Sequence, residues 1–381
     1  MELLIDYEKS RFLSSPKISG GESPTGNIHS SDLYPGHWIR RKDKAMLSND
    51  RDEIRPATIM RNAYAVYPSF AMLAGMQLDV FTPLEGSPMN AETLARSLGV
   101  QPIKLTPLLY ALVTAGLLIV EEGVFANTEE ADKFLVHDSP NYIGGLCGFY
   151  NMLWQATLST AESIRTGKPQ AKHEWKSLPE EELVKFFGSQ YPGSLRAGKQ
   201  LAEKMDFAGC SHLLDAGGGS GGLSIGICEA YPDLRSTVAD FPAVASVSER
   251  FISGAGMSHR IRAMAADLEA GPPEGTYDVA VLRALLQVMS PGRAGKVLTN
   301  IGKVMEAGSS IYIVGSVLDD SRLFPPASIA FSLVSLNVYE DGHAYTEKEQ
   351  HELLLEAGFT DVSVEHDALS DGLSVVSARK A

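Results

Sequence analysis

The run Leu213-Leu214-Asp215-Ala216-Gly217-Gly218-Gly219-Ser220-Gly221-Gly222 constrains the fold more than any other stretch of this chain. An apolar strand ending in an acid and then in spaced glycines must turn sharply, because glycine adopts the required backbone angles at no steric cost. The amides that open the following helix then face a ligand. The pattern predicts a strand, a tight turn and a helix that cradle a nucleotide-like cofactor. Gly217, Gly219 and Gly222 also satisfy GxGxxG, and Asp240 stands 23 residues beyond Gly217, so a dinucleotide remains one reading. Asp215 weighs against it. An anion beside the cradle repels a pyrophosphate and attracts an ammonium group, which favours an aminoacyl nucleoside such as S-adenosylmethionine.

From Ser211 onward, strand-like runs alternate with helical patterns: His212 to Asp215, Arg235 to Asp240, Ile261 to Ala265, Asp278 to Leu282 and Ile311 to Val314. This alternation predicts an α/β fold with a parallel sheet and helices on both faces. A helix from Glu347 to Ala357 and strands at Asp361 to Val364 and Leu373 to Ala378 close the chain. The earlier part reads differently. Apolar residues at helical spacing from Ala65 to Phe81, a helix Ala91 to Leu98 capped by Asn90, and another from Leu105 to Ala115 precede a hairpin around Glu121-Glu122-Gly123. That is a winged-helix order. An aromatic-rich helical stretch with Tyr142, Phe149, Tyr150, Trp154, Phe186, Phe187 and Tyr191 follows it. The expected organisation is an extended or disordered arm over residues 1–50, a winged-helix-like domain over 51–135, a helical connector over 136–205 and a cofactor domain over 206–381.

Charge narrows the partners. Lys and Arg number 33 against 47 Asp and Glu, a formal net charge of -14 that opposes attraction to phosphate backbones, so the winged-helix order does not imply nucleic-acid binding. Three scattered cysteines give neither a disulfide framework nor a CxxC metal site, and no metal is expected. No run reaches the roughly 20 apolar residues of a membrane span, and the first residues lack a secretory pattern. A cytoplasmic protein acting on a small molecule is the expectation.

Position assigns the cofactor residues. Asp215, Gly217, Gly219 and Gly221 belong to the cradle, Asp240 at a strand end suits the two ribose hydroxyls, and Asp267 with Leu268 is placed for an adenine amino group and ring. The aromatic side chains of the connector fill core more often than they line a pocket.

The chain resembles the plant-type small-molecule O-methyltransferase family over about residues 57 to 381. The likeness rests on Leu78-Asp79-Val80-Phe81, Ala115-Gly116-Leu117-Leu118, the Asp215 to Gly221 run, Asp240-Phe241-Pro242, Asp278-Val279-Ala280-Val281-Leu282-Arg283 and Tyr345-Thr346-Glu347 with Glu356-Ala357-Gly358-Phe359. It implies a Rossmann-like class I methyltransferase domain behind a helical dimerisation domain, a homodimer, and S-adenosylmethionine at the carboxyl ends of the strands. Phe241 and Arg283 then join the cofactor residues, Arg283 standing where the family carries Lys.

One departure bears on chemistry. Where the family has Leu-His-Asp-Trp, whose His deprotonates a phenol, this chain reads Leu286-Gln287-Val288-Met289, and Gly315 replaces the family's supporting Glu. Gln cannot take a proton at neutral pH, so Gln287 is expected to position the acceptor. A thioether sulfur has no proton to lose. Met60-Arg61-Asn62-Ala63-Tyr64 before the run Ser69 to Leu78, the run Leu282 to Ser290, and Val317-Leu318-Asp319-Asp320-Ser321-Arg322 make the chain similar to methylthiohydroxybutyrate S-methyltransferases of dimethylsulfoniopropionate synthesis. That resemblance implies 4-methylthio-2-hydroxybutyrate as acceptor, with Tyr142, Tyr150, Trp154 and Gln287 as the side chains expected to meet it. O-methylation of a phenolic or polyketide product, and a cofactor-binding protein without methyl transfer, are the alternatives; His343 and His366 are the other histidines considered as bases.

Overall fold

A computed structural model describes residues 54–172, 178–370 and 372–381. The predicted arm over residues 1–50 lies outside the described residues. Thr58–Ala381 form one compact unit, separate from Met1–Ala57, and the account below concerns that unit.

The amino-terminal portion begins with α1 (Ala57–Tyr64) and α2 (Val66–Gln77), followed by β1 (Met89–Asn90), α3 (Ala91–Leu98), α4 (Pro102–Thr114), β2 (Leu118–Glu121), β3 (Val124–Asn127) and α5 (Glu129–Leu135). Asn90 caps α3 by accepting from the Thr93 amide at 2.9 Å, as its position predicts. Helix α4 starts earlier than the apolar pattern from Leu105 implied. Pro102 occupies its first turn, where a missing N–H costs nothing and the fixed φ is already helical. Leu105, Leu109 and Leu112 present one buried stripe from α4, and β1, β3 and β2 pair antiparallel to make the wing. Val80, Phe81, Leu84, Leu94 and Phe125 complete this core.

The connector supplies α6 (Cys147–Thr157), α7 (Thr160–Thr166) and the long α8 (Glu180–Lys204). The α/β portion then runs β4 (His212–Ala216), α9 (Gly222–Ala230), β5 (Arg235–Asp240), α10 (Pro242–Gly254), β6 (Ile261–Ala265), β7 (Tyr277–Arg283), α11 (Pro291–Gly302), β8 (Met305–Gly315), α12 (Pro326–Val338), α13 (Glu347–Glu356), β9 (Phe359–Glu365) and β10 (Ser374–Lys380).

Among the described residues the main sheet has seven strands in the order β6-β5-β4-β7-β8-β10-β9. The first five are parallel, while β10 runs antiparallel to both β8 and β9, so the sheet is mixed where a parallel one was expected. The chain had room for nothing else. Only the eight residues between β9 and β10 join them, and a parallel return needs a dozen or more. Strand order reverses beside β4, with β5 on one side and β7 on the other, and a crevice opens at the carboxyl ends of strands at such a point.

Candidate active site

Backbone geometry explains the glycines first. Gly217 has φ +66° and Gly219 φ +56°, and a Cβ built on them would lie 2.6 Å from a Leu285 methyl and 2.7 Å from the Phe187 ring respectively. Any side chain would therefore be strained and would fill the cradle. Gly221, at φ +73°, opens α9.

Beneath the turn, Asp215 is fully buried. One carboxylate oxygen accepts from the Ser224 hydroxyl at 2.8 Å and the Ser224 amide at 3.3 Å; the other has no partner among the described residues. Burial pushes its carboxyl up to about 6; the Ser224 donors oppose this, Asp240 adds to it, and Arg283 draws it back. Asp240 closes β5 and accepts from the Gly219 amide at 3.0 Å and the Phe241 amide at 2.7 Å. Burial raises it likewise to about 6. Two raised carboxyls under one glycine turn make a site that favours a cationic, hydroxyl-bearing ligand, because such a ligand restores both charges.

The remaining predicted cofactor residues converge on the same cavity. Its volume is about 670 Å³, and Asp215, Gly217, Gly219, Asp240, Phe241, Asp267, Leu268 and Arg283 all line it. Asp267 accepts from the Glu269 and Ala270 amides at 3.2 and 3.3 Å, which fixes the loop after β6. Leu268 is 7% exposed and joins the core beside it. Arg283, at the end of β7, donates to the Ser194 hydroxyl of α8 at 3.3 Å. Thus α8 is tied to the carboxyl end of β7.

Gln287 lines the cavity too. Its Oε1 lies 3.0 Å from where a Cβ on Gly315 would stand, so the Gln287 side chain occupies the space that a larger residue at 315 would take. His343 and His366 stand elsewhere. His343 points to Glu349 at 3.3 Å and borders a separate pocket of about 290 Å³, while His366 pairs with Glu347 at 2.7 Å. Among the described residues no histidine lines the main cavity.

The three aromatic residues expected at the acceptor are not among the lining of this cavity. Tyr142 stacks on His137 with ring centroids 4.6 Å apart, away from the cavity. Tyr150 stacks on Trp154 at 5.9 Å, and Trp154 meets the edge of Phe70 at 5.7 Å, which ties α6 to α2. Helical phase is the reason. Residues 150 and 154 share one face of α6, whereas Phe149, Met152 and Leu153, spaced i, i+3 and i+4, turn to the cavity. Phe186, Phe187 and Gln190 do the same from α8, and Phe331, Val334 and Tyr339 from α12 and its exit. Aromatic content marked the right helices, but only the spacing selects the face.

Comparison with known proteins agrees with this construction. An O-methyltransferase domain matches residues 170–360 and an O-methyltransferase dimerisation domain matches residues 60–137. The chain belongs to the O-methyltransferase family. It is 28% identical to a 3-hydroxy-5-methyl-1-naphthoate 3-O-methyltransferase of Streptomyces sahachiroi, over 86% of this chain and 96% of that protein. It is 27% identical to the tetracenomycin polyketide synthesis 8-O-methyl transferase TcmO of Streptomyces glaucescens, over 81% and 92%. Human N-acetylserotonin methyltransferase in complex with SAM shares the fold at 22% identity and a TM-score of 0.72, covering 87% of this chain and 99% of that one. This protein is an S-adenosylmethionine-dependent methyltransferase, and S-adenosylmethionine is its cofactor. That choice excludes the nicotinamide reading of GxGxxG.

Proposed function

We propose that this enzyme methylates a hydroxyl of an aromatic small molecule of the phenol or polyketide type. The observation that carries the reading is the ring-lined chamber formed by Phe149, Phe186, Phe187 and Phe331, continuous with the glycine cradle in one cavity. Flat aromatic acceptors gain most from such walls, each ring pair contributing about 0.5–1.5 kcal/mol beyond burial. The relatives named for naphthoate and polyketide O-methylation support the same acceptor class.

Asp215 is assigned to the ammonium group of the cofactor, Asp240 to its ribose and Asp267 with Leu268 to its adenine, while Arg283 and Phe241 border the same cradle. When bound, S-adenosylmethionine would supply a methyl group to an acceptor atom in line with its sulfonium, leaving S-adenosylhomocysteine, and a hydroxyl acceptor would give its proton to bulk solvent before the chamber closes around it. The protein's own residues orient and exclude. The apolar walls keep water from the chamber, and alignment of this kind supplies about 7–11 kcal/mol in favourable systems. Gln287 takes no proton, so the acceptor forgoes the roughly 10² to 10⁴ of a positioned base and has to ionise readily by itself. The same reading assigns residues 51–135 to a homodimer interface, 136–205 to the acceptor chamber and 206–381 to the cofactor.

Gln287 favours one second reading, transfer to the sulfur of 4-methylthio-2-hydroxybutyrate, which needs no base. Gln287→His separates the two. On the aromatic reading, restoring a base raises kcat/KM for phenols by about 10² and thioethers remain unreactive. A wild-type enzyme that methylates the thioether and no phenol overturns the first reading.

A further inference from the structure

Besides Ser194, Ser220 and Ser316, the uncharged polar side chains that line the cavity are Gln190, Gln287 and Tyr339. Tyr339 is the first residue past α12, and burial raises its phenol to about 12, so it stays protonated throughout the neutral range. Tyr339 is half-buried, and its hydroxyl makes no hydrogen bond with another described residue, which leaves it open to a ligand in the chamber. The segment around it is pinned from three sides. Glu340 pairs with Lys172 at 2.7 Å, Asp341 with Arg293 at 3.4 Å, and the His343 amide donates to the Gln287 carbonyl at 3.1 Å. That last bond folds the turn after Tyr339 onto the backbone of Gln287. Gly342 tightens the turn, since a Cβ built on it would lie 3.1 Å from the Cβ of Tyr339. Such tethering holds a side chain in one place and spends no binding energy on ordering it.

We infer that Tyr339 positions the acceptor, its hydroxyl meeting the acceptor's reacting oxygen from the side opposite the cofactor cradle, with the Gln287 carboxamide as second polar contact. The inference rests on the aromatic-acceptor reading and adds a specificity residue to it. An O–H that stays protonated donates to a phenolate and to a phenol's oxygen alike, so it selects hydroxylated rings over bare ones without acting as a base. The chamber offers an apolar acceptor nothing polar in exchange, which makes the hydroxyl the handle for recognition. At the rim Glu340 pairs with Lys172, and Arg293 with both Glu269 and Asp341, which leaves Tyr339 as the neutral donor of its segment.

The test uses the complex with S-adenosylhomocysteine, so that binding is read without turnover. Dissociation constants of 4-nitrophenol and nitrobenzene are measured by calorimetry for the wild type, Tyr339→Phe and Gln287→Ala, with affinity for S-adenosylhomocysteine as the folding control. The expected result is about a tenfold loss of 4-nitrophenol affinity in Tyr339→Phe with nitrobenzene unchanged, the size of one hydrogen bond. Equal losses for both ligands, or no loss for either, overturn the inference. If the wild type binds no phenol but binds 4-(methylthio)butyrate, the aromatic reading fails by itself. Tyr339→Phe is then read on that ligand: weaker binding retains the residue's positioning role, and an unchanged constant, or a wild type that binds none of the three probes, overturns it.

Discussion

Acid should loosen the cofactor, and the structure sets by how much. Asp215 and Asp240 titrate at about 6 instead of the ordinary 3.8, which at 1.36 kcal/mol per pH unit is about 3 kcal/mol each. Their folded values are raised, so each contributes stability that is fully present below the unfolded value near 4 and is lost as pH rises through 6. Cofactor binding runs the other way. An ammonium group and ribose hydroxyls pair with the ionised carboxylates, so binding expels the protons and affinity climbs with pH until both groups are charged. If both must ionise, the competent fraction falls from about 0.94 at pH 7.5 to about 0.06 at pH 5.5, a loss of about 16-fold in affinity; a single carboxyl gives about fourfold. The lower limit of 5.5 stays clear of the isoelectric point near 5.1, where solubility is least. Calorimetric titration with S-adenosylhomocysteine across this range, in buffers of different ionisation enthalpy, reads both the constant and the protons released. Asp215→Asn should reduce the pH dependence to the fourfold case. A dissociation constant that is flat from pH 5.5 to 7.5 refutes the assignment of these two acids to the ligand.

Other consequences follow from single contacts. Gly219→Ala places a methyl against the Phe187 ring at a positive φ, so S-adenosylhomocysteine affinity should fall at least tenfold in calorimetry while circular dichroism stays unchanged. Gly198→Ala drives a methyl into the Leu223 carbonyl where α8 crosses α9, and chemical denaturation should show a loss of about 1–3 kcal/mol; no loss would mean these helices pack less closely than described. Met60, Tyr64 and Tyr67 are 48, 55 and 60% exposed on α1 and α2, within the matched dimerisation domain, so Tyr67→Glu should shift sedimentation from dimer to monomer.

Much of this fold is legible from periodicity and punctuation. Asn90, Gly99 and the capping box of Thr346 and Glu349 mark helix ends by local hydrogen bonds, which sequence reports directly. The residues proposed for the cofactor are legible for the same reason: they sit at strand ends and in one glycine turn, where neighbours in sequence are neighbours in space. The acceptor chamber is a different matter. Its walls come from α6, α8 and α12, far apart in the chain; helical spacing groups the residues of each face, but which of those faces turns inward depends on packing against distant elements. Tyr150 and Trp154 were the prominent aromatics of α6, yet they serve its contact with α2, while the plainer Phe149, Met152 and Leu153 line the chamber. Gln287 was visible as a departure because its position follows β7 closely. Tyr339 was not, since nothing local announces that a turn 52 residues later folds back onto Gln287.

The central claim is methyl transfer from S-adenosylmethionine to an aromatic hydroxyl, and product identification tests it most directly. Methyl-labelled S-adenosylmethionine is incubated with the enzyme and an equimolar mixture of naphthols, catechols, thiols and 4-methylthio-2-hydroxybutyrate, and labelled products are resolved by mass. The account predicts label in aryl methyl ethers. Label confined to a dimethylsulfonium product contradicts it.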